Sequence, residues 1–380
     1  MRISVRSDSD VTESRRKLAK LLGVSRSRND RRRGIRIPIR VNERLAEAVG
    51  IWTGDGHIRK QGTSYSFKIS GHLEEDRPYL LTYVAPLYKE LFNIRPSISE
   101  NRDRNELTLQ YSSKVVYMYF TRVQGLPIGR KGEIGIPQSY RGDASLLRRY
   151  LRGLLDTDGT VTFKRPHQSR YHYYPIIEIE LSSRCLIQQV AEALREFGFN
   201  CYVQYDKKNY GKGGTLHRVG VQGVDNLVRW VKVIGSMNPK HLTKILIWCR
   251  YGFCPPHTTL KERLAMLRKS VDPLSYYDAA GGHTKAHELL LRERRILNTL
   301  LKYGPQTTRE LSERLRVHRS TMKKTLRRLL RRGKLARFWS IYRYSKYGHG
   351  RCYRWLAKGT TLIDMEEVVE KNLRNQHSLL

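Results

Sequence analysis

Acidic residues are scarce in this chain. Its 380 residues carry 35 Asp and Glu against 72 Lys and Arg, a formal net charge of +37. That imbalance argues against a basic partner and points to a polyanion, nucleic acid first. No apolar run approaches the roughly 20 residues a membrane-spanning helix needs, so no membrane partner is expected. The five cysteines are scattered. Only Cys249 and Cys254 are near neighbours, and no second pair completes a zinc site, so neither a disulfide framework nor a cysteine-zinc centre is expected. The N-terminus lacks the apolar core of a signal peptide, so the expected location is the cytoplasm, in association with the nucleoid. The hydrophobic share is 39%. It suffices for real cores, and the length suggests two or three domains.

What the chain does have is one message written twice. Residues 48–56 and 151–159 are apolar helical turns that end in Asp-Gly, at Asp55-Gly56 and Asp158-Gly159. Gly50 and Gly54 in the first, Gly153 and Thr157 in the second, strip bulk from one helix face. Helices with such faces can pack closely, because side chains at the contact limit backbone approach. If the two pack together, Asp55 and Asp158 emerge side by side. Two converging carboxylates repel unless a hard cation lies between them, and Mg²⁺ is the usual choice for all-oxygen ligation.

These segments resemble the LAGLIDADG motif of homing endonucleases, the second copy more closely. The resemblance implies that Asp55 and Asp158 hold catalytic divalent ions, Mg²⁺ or another such as Mn²⁺. It also implies one lysine per half that polarises water or stabilises developing charge. By position these are Lys131, before Gly135-Ile136-Pro137, and Lys240, in Asn238-Pro239-Lys240. Asp156 reads as a helix-end or supporting residue, since Thr53 occupies its place in the first copy. His57 follows the first Asp-Gly and could touch phosphate or serve structure.

The order of elements after each Asp-Gly is also repeated. Residues 64–70 and 176–182 alternate with the period of a half-buried strand. Helical stretches follow at 74–92 and 184–197. Strand-like residues come next at 94–99 and 199–205, then 106–112 and 217–221. Short helices end at Gly125 and Gly235. Across residues 40–250 this resembles the duplicated αββαββα fold of the same family, an α+β class. There, antiparallel sheets form a saddle over the DNA major groove, which admits a two-stranded ribbon. Candidate DNA-binding residues are Arg59, Lys60, Lys68, Arg102 and Arg104 in the first half. The second half offers Lys164, Arg165, Arg170, Tyr171, Tyr173, Lys207, Lys208 and Lys212.

The expected domains are a basic arm or partial helix-turn-helix (1–39), two halves (40–140 and 141–254), a linker (255–288), a winged helix-turn-helix-like domain (289–358) and a C-terminal tail (359–380). In the winged domain a basic recognition helix would carry Arg319, Lys323, Lys324, Arg327 and Arg328 into the major groove. The sequence thus suggests a monomeric, metal-dependent, site-specific endonuclease of double-stranded DNA. Two alternatives stay open. One is a non-catalytic DNA-binding regulator on the same fold, and the other is an RNA splicing maturase with intron RNA as partner. A free intein is disfavoured, because the chain starts at Met1 and ends without a His-Asn pair.

Overall fold

A computed structural model describes residues 23–166, 171–208, 215–280, 285–331, 334–343, 349–357 and 362–375. The chain divides into two compact units. The first holds the residues before Phe163, Pro175–Thr243 and the last few residues; the second holds Phe163–Tyr174 and Lys244–Lys371.

The first unit is a repeated α+β motif. One motif helix, Glu43–Asp55, starts at Asn42, whose side chain accepts from Leu45 N at 2.9 Å. The other, Ala144–Asp158, is capped by Asp143. These caps satisfy backbone N–H groups that have no partner within the helix. Each helix ends where the chain turns extended at Gly56 or Gly159 and runs directly into a strand.

Four strands follow each helix. In the first half they are β1 (Gly56–Gln61), β2 (Ser64–His72), β3 (Ser97–Asn101) and β4 (Glu106–Ser112), in the antiparallel order β1-β2-β4-β3. In the second they are β5 (Gly159–Lys164), β6 (Tyr174–Leu181), β7 (Cys201–Lys208) and β8 (Thr215–Gln222), in the matching order β5-β6-β8-β7. The period-2 pattern sets the faces. Ile58, Phe67, Ile69, Leu107, Leu109 and Tyr111 point into the core. The register puts Phe67 opposite Tyr111, and their rings stack at 4.7 Å. His57 pairs with Lys68, and Lys68 in turn with Gln110, on the opposite face. In the second half Ile177 faces Val221 and Ile179 faces Val219 on the buried side.

Between β2 and β3 the helical stretch from Arg77 to Phe92 passes through a π segment at Leu80–Val84. Pro86 lies just beyond it, in the first turn of Ala85–Phe92. Lacking an N–H, it cannot continue an α-helical ladder, and a widened turn accommodates that loss. The segment expected as a basic arm is partly folded onto this half. Ser27 and Asp30 form a capping box for the short helix Arg28–Arg32. Asp30 is buried and accepts from Ser113 Oγ at 2.8 Å and Val115 N at 3.2 Å, and Ile35 and Ile37 are core residues. Residues 1–22 of the expected basic arm or partial helix-turn-helix lie outside the described residues.

The second unit contains three helices, Lys285–Tyr303, Thr308–Leu315 and Arg319–Arg331. A sheet of β9 (Gln306–Thr307), β10 (Leu335–Arg343) and β11 (His349–Ala357) follows the order β10-β11-β9. Ile296, Leu300, Leu311, Met322, Leu326, Leu335 and Trp355 form its core. This is the winged-helix arrangement. Residues 255–280, read in sequence as a linker with one short helical stretch at 260–267, are ordered. The helix Leu260–Leu267 has a capping box at Thr259 and buries Leu260, Met266 and Leu267. A 3-10 segment, Pro273–Ala280, follows. The expected tail likewise contains a helix, Leu362–Arg374, with Met365, Val369 and Leu373 buried. Among the described residues no helix is long and apolar enough to cross a membrane.

Candidate active site

The small-residue faces meet. A Cβ built on Gly50 would fall on the backbone carbonyl of Tyr150, and one on Gly153 would come within 2.8 Å of Ile51 N. One on Gly54 would strike Thr157, whose backbone neighbour Asp158 N is 3.3 Å away. Glycine is required here by close approach rather than by turn geometry. Thr157 fits because its hydroxyl folds back onto Gly153 O at 2.9 Å. Charge pairs flank the seam. Arg149 Nε donates to Glu43 at 2.7 Å, and buried Arg152 donates to buried Glu47 through two nitrogens. Tyr83, from the π segment, adds a hydrogen bond to Glu47 at 2.7 Å. A buried pair of this kind is stable only when its remaining polar atoms are also satisfied.

Close packing of the helices brings their C-terminal aspartates together, both half-buried. Burial, and then the charges of Asp158 and Asp76, push Asp55 up to about 8, against the pull of Lys240 and Lys131. Burial likewise raises Asp158, opposed by Lys131 and Lys240. Lys131 Nζ donates to Thr53 O at 2.8 Å and to Gly54 O, and it lies 5.4 Å from the centre of the Trp52 ring. Its charge therefore sits on the carbonyl end of the first motif helix, where the helix dipole favours a cation. Burial lowers the Lys131 pKa. A cavity of about 270 Å³ opens beside it, lined by Lys131, Asp158, Thr53, Glu180 and Ser183 among others.

Asp156 is fully buried and accepts from Ser236 Oγ at 2.5 Å and Met237 N at 2.7 Å. Burial pushes it up to about 7 despite these bonds. Asn238 Nδ2 bridges Asp156 O and Asp76 Oδ1, both at 2.8 Å, and Lys240 Nζ meets Asp76 Oδ1 at 2.9 Å. Asp76, Ser236 and Asn238 were not among the expected site residues. Asp76 precedes Arg77-Pro78 and reads in sequence as an ordinary helix cap.

The expected DNA-binding residues separate. Arg59 and Lys68 lie on the outer face of the first sheet, and Arg102 and Arg104 are exposed at the β3–β4 turn. Lys60 is exposed but shares the parity of buried Ile58, and its ammonium lies 5.8 Å from the Tyr65 ring. It is therefore not on the outer face. Lys164 and Arg165 are exposed. Tyr171 is a correction: it is 1% exposed and packs against Phe253 and Tyr277 at about 5 Å, so it is core rather than a contact. Tyr173 is half-buried against the same cluster. Lys207 is exposed but ion-paired with Glu180 at 3.0 Å. Lys208 ends β7, beyond the described side chains, and Arg170 and Lys212 lie outside the described residues. On the third helix of the winged unit Arg319, Lys323, Lys324 and Arg327 are exposed. Arg328 is instead half-buried and bonded to Glu293 at 2.5 Å, so it serves the fold. His57 is half-buried on the outer face beside Lys68, and burial lowers its pKa.

The raised Asp55 pKa has a testable consequence for the metal-free protein. A carboxyl whose folded pKa exceeds its unfolded value contributes stability that is full below about 3.8 and lost as pH rises towards about 8. Asp55→Asn cannot ionise. Its melting temperature relative to the native chain should therefore rise between pH 5 and pH 9 in chelator. Parallel pH profiles for the two proteins would contradict this electrostatic account.

Residues 145–235 match the family model of a LAGLIDADG-like domain, and residues 285–354 match that of the sugar-specific transcriptional regulator TrmB. The latter is compatible with the winged helix. A replication factor C small subunit from Methanocaldococcus jannaschii is 25% identical over 206 residues, covering 54% of this chain. The chain spans only 10% of that relative's length. Mesophilic variants of the homing endonuclease I-DmoI align at 16% identity and a TM-score of 0.37, over 51% of this chain and 95% of theirs. The homing endonuclease I-WcaI bound to its DNA recognition sequence aligns at 10% and 0.34, over 61% and 89%. These structural likenesses are too distant to carry residue roles.

Proposed function

We propose that the chain is a site-specific, metal-dependent endonuclease that hydrolyses both strands of a DNA duplex. The observation that carries this reading is the pair Asp55 and Asp158, converging at the ends of two closely packed helices with Lys131 and Lys240 beside them. The donor set fits a divalent ion. Two carboxylates that raise each other's cost of ionisation are relieved by a hard cation. Among the described residues no group of three or more His, Cys, Asp or Glu could hold an ion. Mg²⁺ typically takes only one or two carboxylates and completes its shell with waters and substrate phosphates.

Mg²⁺ or Mn²⁺ bound there would neutralise phosphate charge and favour hydroxide at neutral pH. The chain's own part is orientation and electrostatics. Asp55 and Asp158 are fixed by the helix seam, one for each strand of the duplex. Lys131 and Lys240 present ammonium groups to charge developing on the phosphate, in a half-buried setting where such interactions are stronger than in water. The outer faces of the two sheets, with Arg59, Lys68 and the exposed lysines of the second half, read the major groove as strand ribbons. The exposed basic helix Arg319–Arg331 supplies a second duplex contact. A chain of this charge would act on DNA in the cytoplasm, as a monomer with both aspartates in one polypeptide, and mobility of an intron is the process such cutting would serve.

The TrmB match over residues 285–354 favours a second reading, a DNA-binding regulator in which the aspartates no longer cut. A selection on a randomised-site plasmid library with Mg²⁺ separates the two. The endonuclease reading expects one extended consensus among linearised plasmids. Enrichment of bound but uncut plasmids would favour the regulator.

A further inference from the structure

Asp76 occupies a helix-cap position without capping the helix. A capping aspartate ordinarily accepts from the N–H groups of the first turn. Asp76 makes no such bond and its backbone is helical, φ −99° and ψ −6°. It is 7% exposed. One carboxylate oxygen accepts from His72 N at 3.0 Å, and the other accepts from Asn238 Nδ2 at 2.8 Å and meets Lys240 Nζ at 2.9 Å. Burying a carboxylate in this way is costly unless it is fully paired, and here the side-chain partners Asn238 and Lys240 come from the stretch just after the helix Val224–Val233 of the second half.

The second half repeats the arrangement with different chemistry. Ser183 caps the helix Arg184–Glu196 that follows β6, the place Asp76 holds after β2. Its hydroxyl donates to Ile134 O at 2.7 Å and accepts from Ile134 N at 3.1 Å. Each half thus grips the lysine-bearing stretch of the other half. The grips differ at the ammonium itself. Lys240 is held by a carboxylate, whereas Lys131 is held by the Thr53 and Gly54 carbonyls and not by Ser183.

We infer that Asp76 is the positioning residue for Lys240, so that the two strand-cutting centres are unlike and only one depends on Asp76. This rests on the endonuclease reading of Asp55 and Asp158. A charge-assisted bond fixes an ammonium more tightly than a neutral one. Without it Lys240 is free to leave its place near Asp55, and a displaced catalytic group loses rate steeply.

The test uses the full-length chain and a supercoiled plasmid bearing its selected site, with the two strands labelled separately. Asp76→Asn should slow one strand by on the order of tenfold or more, accumulating nicked circles, while duplex affinity stays near that of the native chain. Asp76→Glu, which keeps the charge, should recover part of that rate. In parallel, acetic anhydride labelling of the DNA-free proteins, read by mass spectrometry, should show Lys240 more reactive in Asp76→Asn and Lys131 unchanged. Equal slowing of both strands, or unchanged Lys240 labelling, overturns the assignment. A native chain that binds but cuts neither strand overturns the endonuclease reading instead, and the labelling then decides alone whether Asp76 holds Lys240.

Discussion

Asp55→Asn and Asp158→Asn are each expected to abolish double-strand cleavage while leaving duplex binding largely intact. Neither carboxylate contributes to phosphate attraction. In a chain of net charge +37, removing one acidic group if anything strengthens it. What the substitution removes is an oxygen ligand at a site where the other aspartate cannot substitute, because each projects from its own helix end. Each single variant should at most nick, and the double variant should bind without cutting. Gel separation of supercoiled, nicked and linear plasmid reads the three states. Full linearisation by both single variants would rule out the paired assignment.

Gly50→Leu or Gly153→Leu should be the most damaging substitutions outside the catalytic groups. The added atoms would meet backbone, the Tyr150 carbonyl in one case and Glu47 O with Ile51 N in the other, and backbone cannot rotate away as a flexible side chain can. Overpacking typically costs about 1–3 kcal/mol, and a backbone clash belongs at or above the upper end. Wedging the helices also separates Asp55 from Asp158, so cleavage should fall further than the loss of folded protein explains. Gly142 is the control. It is exposed, and nothing lies within 4 Å of its Cβ position. Gly142→Ala should be neutral or stabilising by about 0.4–1 kcal/mol. Thermal melts of the three variants, with cleavage rates measured well below the transition, check both effects. A stable and fully active Gly50→Leu protein would mean that the seam does not hold the site.

The seam was legible in the sequence because helical spacing of small residues is a local signal, and so were the strands, whose period-2 alternation separates Phe67 and Ile69 from Lys68. Parity also puts Lys60 on the side of buried Ile58, away from a groove contact, although its basic character alone suggested one. The winged unit was readable from its helix caps and breaks, such as the Thr307–Glu310 capping box. Other features depend on partners far away in the chain. Tyr171 looked like part of an exposed basic-aromatic stretch, but its environment is made by Phe253 and Tyr277. Residues 268–280 lacked periodicity, yet Tyr277 is buried there. Asp76 carried the local signature of a helix cap, and only the three-dimensional arrangement brings Asn238 and Lys240 to it. Arg328 likewise looked like its exposed neighbours until Glu293 claimed it.

Asp55 and Asp158 together should form a divalent-ion site at the DNA. The most direct measurement is an equilibrium titration of Mn²⁺ into the DNA complex, with free ion followed by electron paramagnetic resonance. It compares the native chain with the Asp55→Asn/Asp158→Asn double variant on the same selected duplex under non-cleaving conditions. Tight Mn²⁺ uptake by the native complex should disappear in the double variant, with the duplex still bound. Equal Mn²⁺ uptake by both complexes would contradict it.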